Sequence, residues 1–232
     1  MPTLPAKSVD LILCDLPYGM MPKAKWDKPI PFESLWEQYR RIARGPIVLF
    51  AQAPFDKKLA VSNLKDFRHE WIWEKSRANG FLTAKKAPLR AHETILVFSA
   101  VKPLYYRPQM TEGRKRIKAT KKGLDEPLYG DQQPVEYDST SRYPRSVLKF
   151  ESVRSPYHPT EKPQDLLLYL IETYCPAGGS VLDNCMGAGS TGIAALNSGR
   201  HFIGIEMNPT FFGRAKGRIE SLASESLRTL AA

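Results

Sequence analysis

The chain has 232 residues, which is enough for one globular domain or for one domain with an insertion. Hydrophobic residues make up 42% and charged residues 25%, which excludes a mainly disordered, fibrous or coiled-coil protein. There are 34 lysines and arginines against 24 aspartates and glutamates, and the net charge of +10 favours a polyanionic partner such as nucleic acid.

The first part of the chain predicts buried strands that alternate with helices. Residues 8–15 and 47–50 are apolar and rich in β-branched side chains, which predicts two strands, the first ending at a carboxylate. Helical spacing of apolar residues predicts helices over residues 33–43 and 56–64. Two further strands are predicted over residues 67–73 and 94–98.

The character of the sequence changes between residues 101 and 157, where periodicity fades and Pro, Gly and Tyr accumulate. We predict a flexible, variable insertion that contacts DNA phosphates and carries target recognition. A solvated surface loop would have the same composition. Six basic residues and no acidic residue lie between Gly113 and Gly123: Arg114, Lys115, Arg116, Lys118, Lys121 and Lys122.

Regular elements return after residue 160. Helices are predicted over residues 162–174, 191–198 and 209–222, and strands over residues 180–183 and 201–206. Strands that alternate with helices form right-handed crossovers and a mainly parallel sheet. The predicted fold is therefore α/β, with helices on both faces of a twisted sheet, in a single domain that carries the insertion.

A glycine loop lies at the turn between the predicted strand over residues 180–183 and the helix after it. Gly187, Gly189 and Gly192 match G-x-G-x-x-G, and Glu206 follows Gly187 by 19 positions. This combination is typical of a nucleoside-binding unit whose acidic residue binds ribose hydroxyls. NAD and S-adenosylmethionine both fit the pattern. A further carboxylate in this loop, Asp183, favours the amino and sulfonium groups of S-adenosylmethionine over a pyrophosphate.

The sequence D-L-P-Y at residues 15–18 ends the first predicted strand, where a parallel sheet has its ligand crevice. An exocyclic amine of a nucleobase is a poor nucleophile because its lone pair is delocalised into the ring. The Asp15 carboxylate and the Leu16 carbonyl could accept both N–H bonds and localise that pair. Pro17 restricts the turn, and Tyr18 offers a ring on which a flipped base could stack. Taken alone, these four residues also fit a plain proline turn.

Three motifs together resemble those of the DNA amino-methyltransferases. D-L-P-Y is similar to their D-P-P-Y motif, and residues 183–191 are similar to their glycine-rich cofactor motif, D-P-F-x-G-S-G-T-T. H-P-T-E-K-P at residues 158–163 is similar to their H-P-T-x-K-P segment. The order of these motifs around a basic region resembles the permuted β group, whose members methylate adenine N6 or cytosine N4. The resemblance also includes residues 71–75 and 92–98.

The resemblance implies a Rossmann-like fold and a site-specific DNA methyltransferase of the restriction-modification type, with S-adenosylmethionine as cofactor and double-stranded DNA as partner. Asp15 at the start of the catalytic motif favours adenine N6 over cytosine N4. The catalytic residues implied are Asp15, Leu16, Pro17 and Tyr18. Those implied for the cofactor are Asp183, Cys185, Gly187, Gly189, Ser190, Thr191 and Glu206, with Thr160 and Lys162 near the methionine carboxylate. For Lys162, a surface position in the first turn of its helix is an equal alternative.

Three departures from the family pattern carry expectations of their own. Leu16 stands in place of the first proline, which predicts a looser turn with the same carbonyl. Cys185 stands in place of a phenylalanine that packs on the cofactor, which predicts a thinner wall. Eight residues precede Val9, where family members usually carry a further strand and turn. This predicts weak donor binding unless another segment closes that side.

Several alternatives and exclusions complete the expectations. A silent DNA-binding member of the fold, an RNA or protein-glutamine methyltransferase and, more remotely, an NAD-dependent oxidoreductase share parts of the pattern. No apolar run approaches the roughly 20 residues that span a bilayer, and the N-terminus lacks a signal-peptide pattern. The 3 cysteines are far apart, so we expect no disulfide, no metal site and a cytoplasmic location. A monomer or a homodimer is expected.

Overall fold

A computed structural model of the chain describes residues 1–21, 24, 27–102, 104–119, 136–155, 157 and 160–230. The chain forms two compact units. The first comprises Met1–Arg107 and Ser146–Ala232, and the second comprises Pro108–Arg145. The second unit is therefore narrower than the insertion predicted over residues 101–157.

The described residues form nine strands and five α-helices, of which β5 and β6 lie in the second unit. The strands are β1 (Leu11–Asp15), β2 (Ile47–Ala51), β3 (Phe67–Asn79), β4 (Arg90–Phe98), β5 (Thr111–Ala119), β6 (Glu136–Arg142), β7 (Val147–Phe150), β8 (Ser180–Asp183) and β9 (His201–Gly204). The helices are α1 (Phe32–Ile42), α2 (Phe55–Val61), α3 (Gln164–Tyr174), α4 (Ser190–Asn197) and α5 (Pro209–Leu230).

Seven of these strands form one mainly parallel sheet in the first unit, in the order β7-β3-β4-β2-β1-β8-β9 among the described residues. Strand β4 runs antiparallel to both of its neighbours, and the other pairs are parallel. The prediction of a mainly parallel α/β sheet is confirmed. Strand β7 lies within the segment predicted as irregular, and it pairs with β3 at the edge of the sheet. Its four residues are too few to show a periodic pattern.

Helices cover both faces of the sheet, as predicted. Alternate residues of a strand point to opposite faces. Leu11 and Leu13 of β1 therefore lie in a core with α3 and α4, whereas Ile12 and Cys14 lie in a core with α1 and α2. Asp15 continues the series of Leu11 and Leu13, which directs its side chain toward the α3 side of the sheet. This alternation positions the first carboxylate of the candidate site.

The second unit contains an antiparallel pair, β5 with β6, in which Thr111 lies opposite Arg142. The sequence analysis predicted no strands within the insertion over residues 101–157, and it missed these two. Their residues are mostly polar, and no apolar alternation marks these strands in the sequence. No helix of the described chain is long and apolar enough to cross a membrane.

Candidate active site

The two predicted motifs end neighbouring strands and line one cavity. Strands β1 and β8 are parallel neighbours, with Leu11 opposite Val181 and Ile12 opposite Leu182. Their carboxyl ends therefore bring Asp15 and Asp183 to the same edge of the sheet. The cavity at this edge has a volume of about 620 Å³, which is in the range of small-molecule sites.

Most of the predicted site residues line this cavity. They are Asp15, Leu16, Pro17, Tyr18, Thr160, Lys162, Asp183, Cys185, Gly187, Ser190, Thr191 and Glu206. Gly189 is not among its lining residues and has a packing position described below. Residues 158 and 159 of the H-P-T-E-K-P segment lie outside the described residues.

The Asp15 carboxylate is held by two donors. The Tyr18 hydroxyl donates to Oδ1 of Asp15 at 2.7 Å, and the Lys162 ammonium donates to Oδ2. The Tyr18 ring stacks on Phe55 with a centroid distance of 5.0 Å and an interplanar angle of 29°. Burial and the nearby Asp15 charge raise the pKa of Tyr18 well above its usual value, so the phenol remains a donor.

Lys162 is the centre of a buried ionic cluster on the α3 side of the sheet. Its side chain is 7% exposed, and its Nζ lies 3.5 Å from Oε2 of Glu93 in addition to its contact with Asp15. Lys75 also pairs with Glu93. Burial alone would raise the pKa of Glu93, but the two ammonium groups outweigh it and lower that pKa. Burial opposes the charge of Lys162, yet Asp15 and Glu93 raise its pKa.

The surface position considered for Lys162 is therefore wrong. The residue lies just before α3 and points into the site, where its neighbours are two carboxylates of the protein. The resemblance places it near the methionine carboxylate of a donor, and that role stays a prediction.

Lys75 and Glu93 are site residues that the sequence reasoning missed. A signal was present, because Trp71, Trp73 and Lys75 share one face of β3 under the period-two rule. The two tryptophans lie in the core beneath α3, as do Ile95 and Val97, which continue the alternation from Glu93 in β4. Lys75 and Glu93 thus each end an apolar series on the same face of the sheet, and two opposite charges in these positions indicate an ion pair.

The glycine loop is organised around the buried carboxylate of Asp183. Its Oδ1 accepts the backbone N–H of Cys185 at 3.0 Å, and its Oδ2 accepts the Thr191 hydroxyl at 2.7 Å. Burial raises the pKa of Asp183 to about 6, although both hydrogen bonds favour the ionised form. The loop therefore holds a carboxylate that a cationic ligand would help to ionise.

Glu206 lies two residues beyond the end of β9 and points back to the glycine loop. Its Oε2 accepts the N–H of Gly187 at 3.0 Å, and its Oε1 accepts the N–H of Asn208 at 2.7 Å. These two backbone donors fix the direction of the carboxylate at the cavity wall.

Gly189 allows the loop to pack closely against α5. Its φ is +83°, in the left-handed region, and it precedes the first residue of α4. A Cβ at this position would lie 3.0 Å from Cβ and 3.1 Å from Cα of Ala215. Gly189 therefore contributes to the site indirectly, by allowing the loop to pack against α5, and does not line the cavity.

The segment that follows Tyr18 forms a further part of the wall, and the sequence reasoning described it only as a proline-rich loop. The buried Asp27 accepts the N–H of Gly19 at 2.9 Å and the N–H of Met21 at 2.7 Å. Met20, Met21 and Ile30 line the cavity. This segment therefore supplies part of the cavity wall, and closure of the side on which family members usually carry a further N-terminal strand stays a prediction.

A family model described as DNA methylase, N6_N4_Mtase, matches residues 9–216. The chain belongs to this family. The methylase is 30% identical to the DNA adenine methyltransferase YhdJ of Escherichia coli K12, over 98% of this chain and 82% of that one. It is 29% identical to the Type II methyltransferase M1.MboII of Moraxella bovis, over 90% and 88% of the two chains. The crystal structure of the M1.HpyAVI-SAM complex has a similar fold, with a TM-score of 0.61, 22% identity and coverage of 94% of this chain and 90% of that chain.

Four of the six residues predicted to contact DNA lie on β5. Arg114 and Lys115 are exposed on this strand. Arg116 and Lys118 are also on β5, but their side chains lie outside the described part of the structure. Lys121 and Lys122 lie outside the described residues altogether. Within the described ranges, no three His, Cys, Asp or Glu residues are arranged to hold a metal ion.

Proposed function

We propose that this methylase transfers a methyl group from S-adenosylmethionine to the N6 amine of an adenine that is flipped out of double-stranded DNA. The observation that carries the proposal is the single cavity onto which both the D-L-P-Y turn and the glycine loop open. YhdJ is named as an adenine methyltransferase, and the M1.HpyAVI structure is a complex with SAM, which supports the target and the donor.

The residues around the glycine loop fit the methyl donor. The buried Asp183, whose pKa of about 6 lies close to neutrality, is matched to a ligand with amino and sulfonium cations. Glu206 is held in place by the Gly187 and Asn208 amides and is matched to ribose hydroxyls. When bound, the donor supplies an electrophilic methyl group. Thr160 and Lys162 line the same cavity and remain candidates for its carboxylate end.

The residues around Asp15 orient the amine. The two oxygens of a carboxylate offer about four lone-pair sites, so Asp15 can accept an N–H of the amine while it keeps Tyr18 and Lys162. The carbonyl of Leu16 accepts the second N–H. The amine nitrogen then presents its lone pair, and the rate gain comes chiefly from positioning. Because the proton leaves after methyl transfer, the site requires no strong base.

Tyr18 contributes the surface on which the flipped base rests. One side of its ring is stacked on Phe55, and we assign the opposite face to the base. Its hydroxyl remains on Asp15, so the ring and the carboxylate are positioned as one group. Phe55 is therefore a positioning residue for the catalytic turn.

Substitution of Asp15 tests this assignment. We expect Asp15→Asn, which keeps the shape of the side chain, to lower transfer of tritium from labelled donor to DNA by at least about a hundredfold, because an acceptor of the amine is lost. Donor affinity measured by calorimetry should stay within about twofold of wild type, since the donor is held by the other loop. Asp165→Asn, at an exposed position on α3, is the matched control. Near-wild-type transfer by Asp15→Asn would contradict the assignment.

Sequencing of DNA from cells that express the methylase, with detection of modified bases, identifies the base and the recognised site together. N6-methyladenine at a defined site supports the proposal, and N4-methylcytosine would assign the other chemistry of the family. Unmodified DNA together with methylated RNA or protein would exclude a DNA substrate. The cytoplasmic location and the oligomeric state stay predictions.

A further inference from the structure

The loop between β3 and β4, residues 80–89, begins where the cavity wall ends. We call it the hairpin tip. Asn79 and Arg90 face each other in the strand register, and both line the cavity that contains Asp15. The Arg90 guanidinium donates to Oε1 of Gln52, another lining residue, at 3.1 Å. The tip therefore extends directly from the wall of the proposed catalytic pocket.

Two large apolar side chains project from the hairpin tip. Phe81 is 78% exposed and Leu82 is 86% exposed, the largest exposed fraction among the described large hydrophobic residues. The backbone beneath them is ordered as a 3-10 turn, in which both the N–H and the hydroxyl of Thr83 donate to the Gly80 carbonyl at 3.0 Å. Two adjacent apolar side chains on an ordered tip beside an active-site cavity indicate a contact surface.

The charge around these side chains favours a polyanion as the partner. Residues 76–92 contain four lysines and arginines and no acidic residue. All four side chains are exposed, and they belong to Arg77, Lys85, Lys86 and Arg90. Apolar side chains flanked by cations match a nucleic acid, whose phosphates surround stacked, apolar base faces. An apolar protein partner would not require this one-sided charge.

We propose that Phe81 and Leu82 insert into the DNA duplex next to the target base and fill the space that this base leaves when it enters the cavity. Lys85 and Lys86 contact the phosphates on either side. Extrusion of a base costs the energy of its pairing and stacking, and apolar wedges are a known way to offset that cost. The inference rests on the proposed function. It adds residues outside the segment 101–157, in which target recognition is expected.

The test compares two duplexes that carry the site identified by sequencing. In one the target base is paired normally, and in the other an abasic site lies opposite it, so that extrusion costs little. We expect Phe81→Ala with Leu82→Ala to lower methyl transfer to the paired duplex by about tenfold or more, and transfer to the abasic duplex by less than about twofold. A 2-aminopurine placed at the target position should brighten less with this variant than with wild type, without any donor present. Val61→Ala with Leu64→Ala, at exposed apolar positions on and after α2, is the matched control.

The outcomes separate this inference from the proposed function. Wild-type protein that methylates neither duplex would refute the proposed function and the wedge with it. Wild-type activity combined with an equal loss on both duplexes, or with no loss, would overturn the wedge alone. A wild-type dimer that the double variant converts to a monomer, with an unchanged ratio between the duplexes, would assign the tip to a second copy of the chain.

Discussion

At the scale of single residues, we predict that Asp183 makes donor binding depend on pH. Its pKa is raised to about 6 because the carboxyl group is buried, and the Asp15 charge on the neighbouring strand acts in the same direction. A bound cation favours the ionised carboxylate and so lowers this pKa. Protonation of free Asp183 below pH 6 therefore competes with binding, and affinity should rise as the pH rises through that value.

Calorimetry of S-adenosylmethionine binding at low and neutral pH measures this effect. If the donor returns the pKa of Asp183 from about 6 to near its ordinary value of 3.8, the wild-type Kd should be about tenfold tighter at about pH 7.5 than at about pH 5. Asp183→Asn keeps an acceptor for the Cys185 amide but cannot ionise, so its Kd should be flat over the same range. A pH dependence that persists in Asp183→Asn would assign the titration to another group.

The residue scale also shows how far the sequence could predict the site. The D-L-P-Y turn and Asp183 could be placed because each ends a strongly apolar strand, and parallel strands carry ligands at their carboxyl ends. The contact between Lys162 and Asp15 could not be predicted, because it joins residues 147 positions apart and depends on where α3 packs. Asp27 gave no signal either, since its role is to accept two backbone N–H groups of an irregular turn.

At the scale of the elements, the close packing of the glycine loop against α5 requires a glycine at position 189. Gly189→Ala introduces left-handed strain of about 1–2 kcal/mol. It also adds a Cβ 3.0 Å from Ala215, and overpacking of this kind costs about 1–3 kcal/mol more. The matched control is Gly199→Ala, where φ is +68° and no atom lies within 4 Å of the added Cβ.

Urea unfolding of the two variants separates strain from close packing. Both should lose stability through the left-handed backbone, and Gly189→Ala should lose about 1–3 kcal/mol more than Gly199→Ala. Donor binding should weaken only in Gly189→Ala, because the added contact pushes the cavity loop away from α5. Equal losses of unfolding free energy would show that α5 yields to the extra methyl group without cost.

The elements also divide into those that their sequence specifies and those that tertiary pairing specifies. The buried strands and most of the amphipathic helices were predicted to within a few residues, because their apolar periodicity is what buries them. Helix α5 is the exception, since it extends to Leu230 rather than ending at residue 222 as predicted. Strands β3 and β4 extend further toward their shared loop than predicted. The prediction stopped short because residues 76–79 and 90–92 are exposed and carry no apolar pattern. The strands β5 and β6 were missed because their mostly polar residues show no apolar alternation. Strand β7 was missed because its four residues, of which Leu148 is buried in the core, are too few to show a period.

At the scale of the whole molecule, the net charge of +10 predicts DNA binding that is sensitive to salt. Each phosphate contact that a lysine or arginine makes adds about 0.9 to the slope of log affinity against log salt concentration. Arg114 and Lys115 are exposed on β5 in the second unit, within the segment expected to contact DNA. Binding titrations at several salt concentrations therefore count the phosphate contacts that these residues make.

Arg114→Gln with Lys115→Gln should reduce the magnitude of this slope by about 1.8, because two phosphate contacts are lost. The loss of affinity should be similar for duplexes with and without the recognised site, since phosphate contacts carry no sequence information. Lys58→Gln with Lys65→Gln removes the same charge from two exposed positions outside the proposed DNA surfaces and should leave the slope nearly unchanged. Equal slopes for the two double variants would mean that Arg114 and Lys115 contribute only through long-range charge. The phosphate contacts would then be made by other residues. Lys85 and Lys86 of the hairpin tip are the next residues to neutralise.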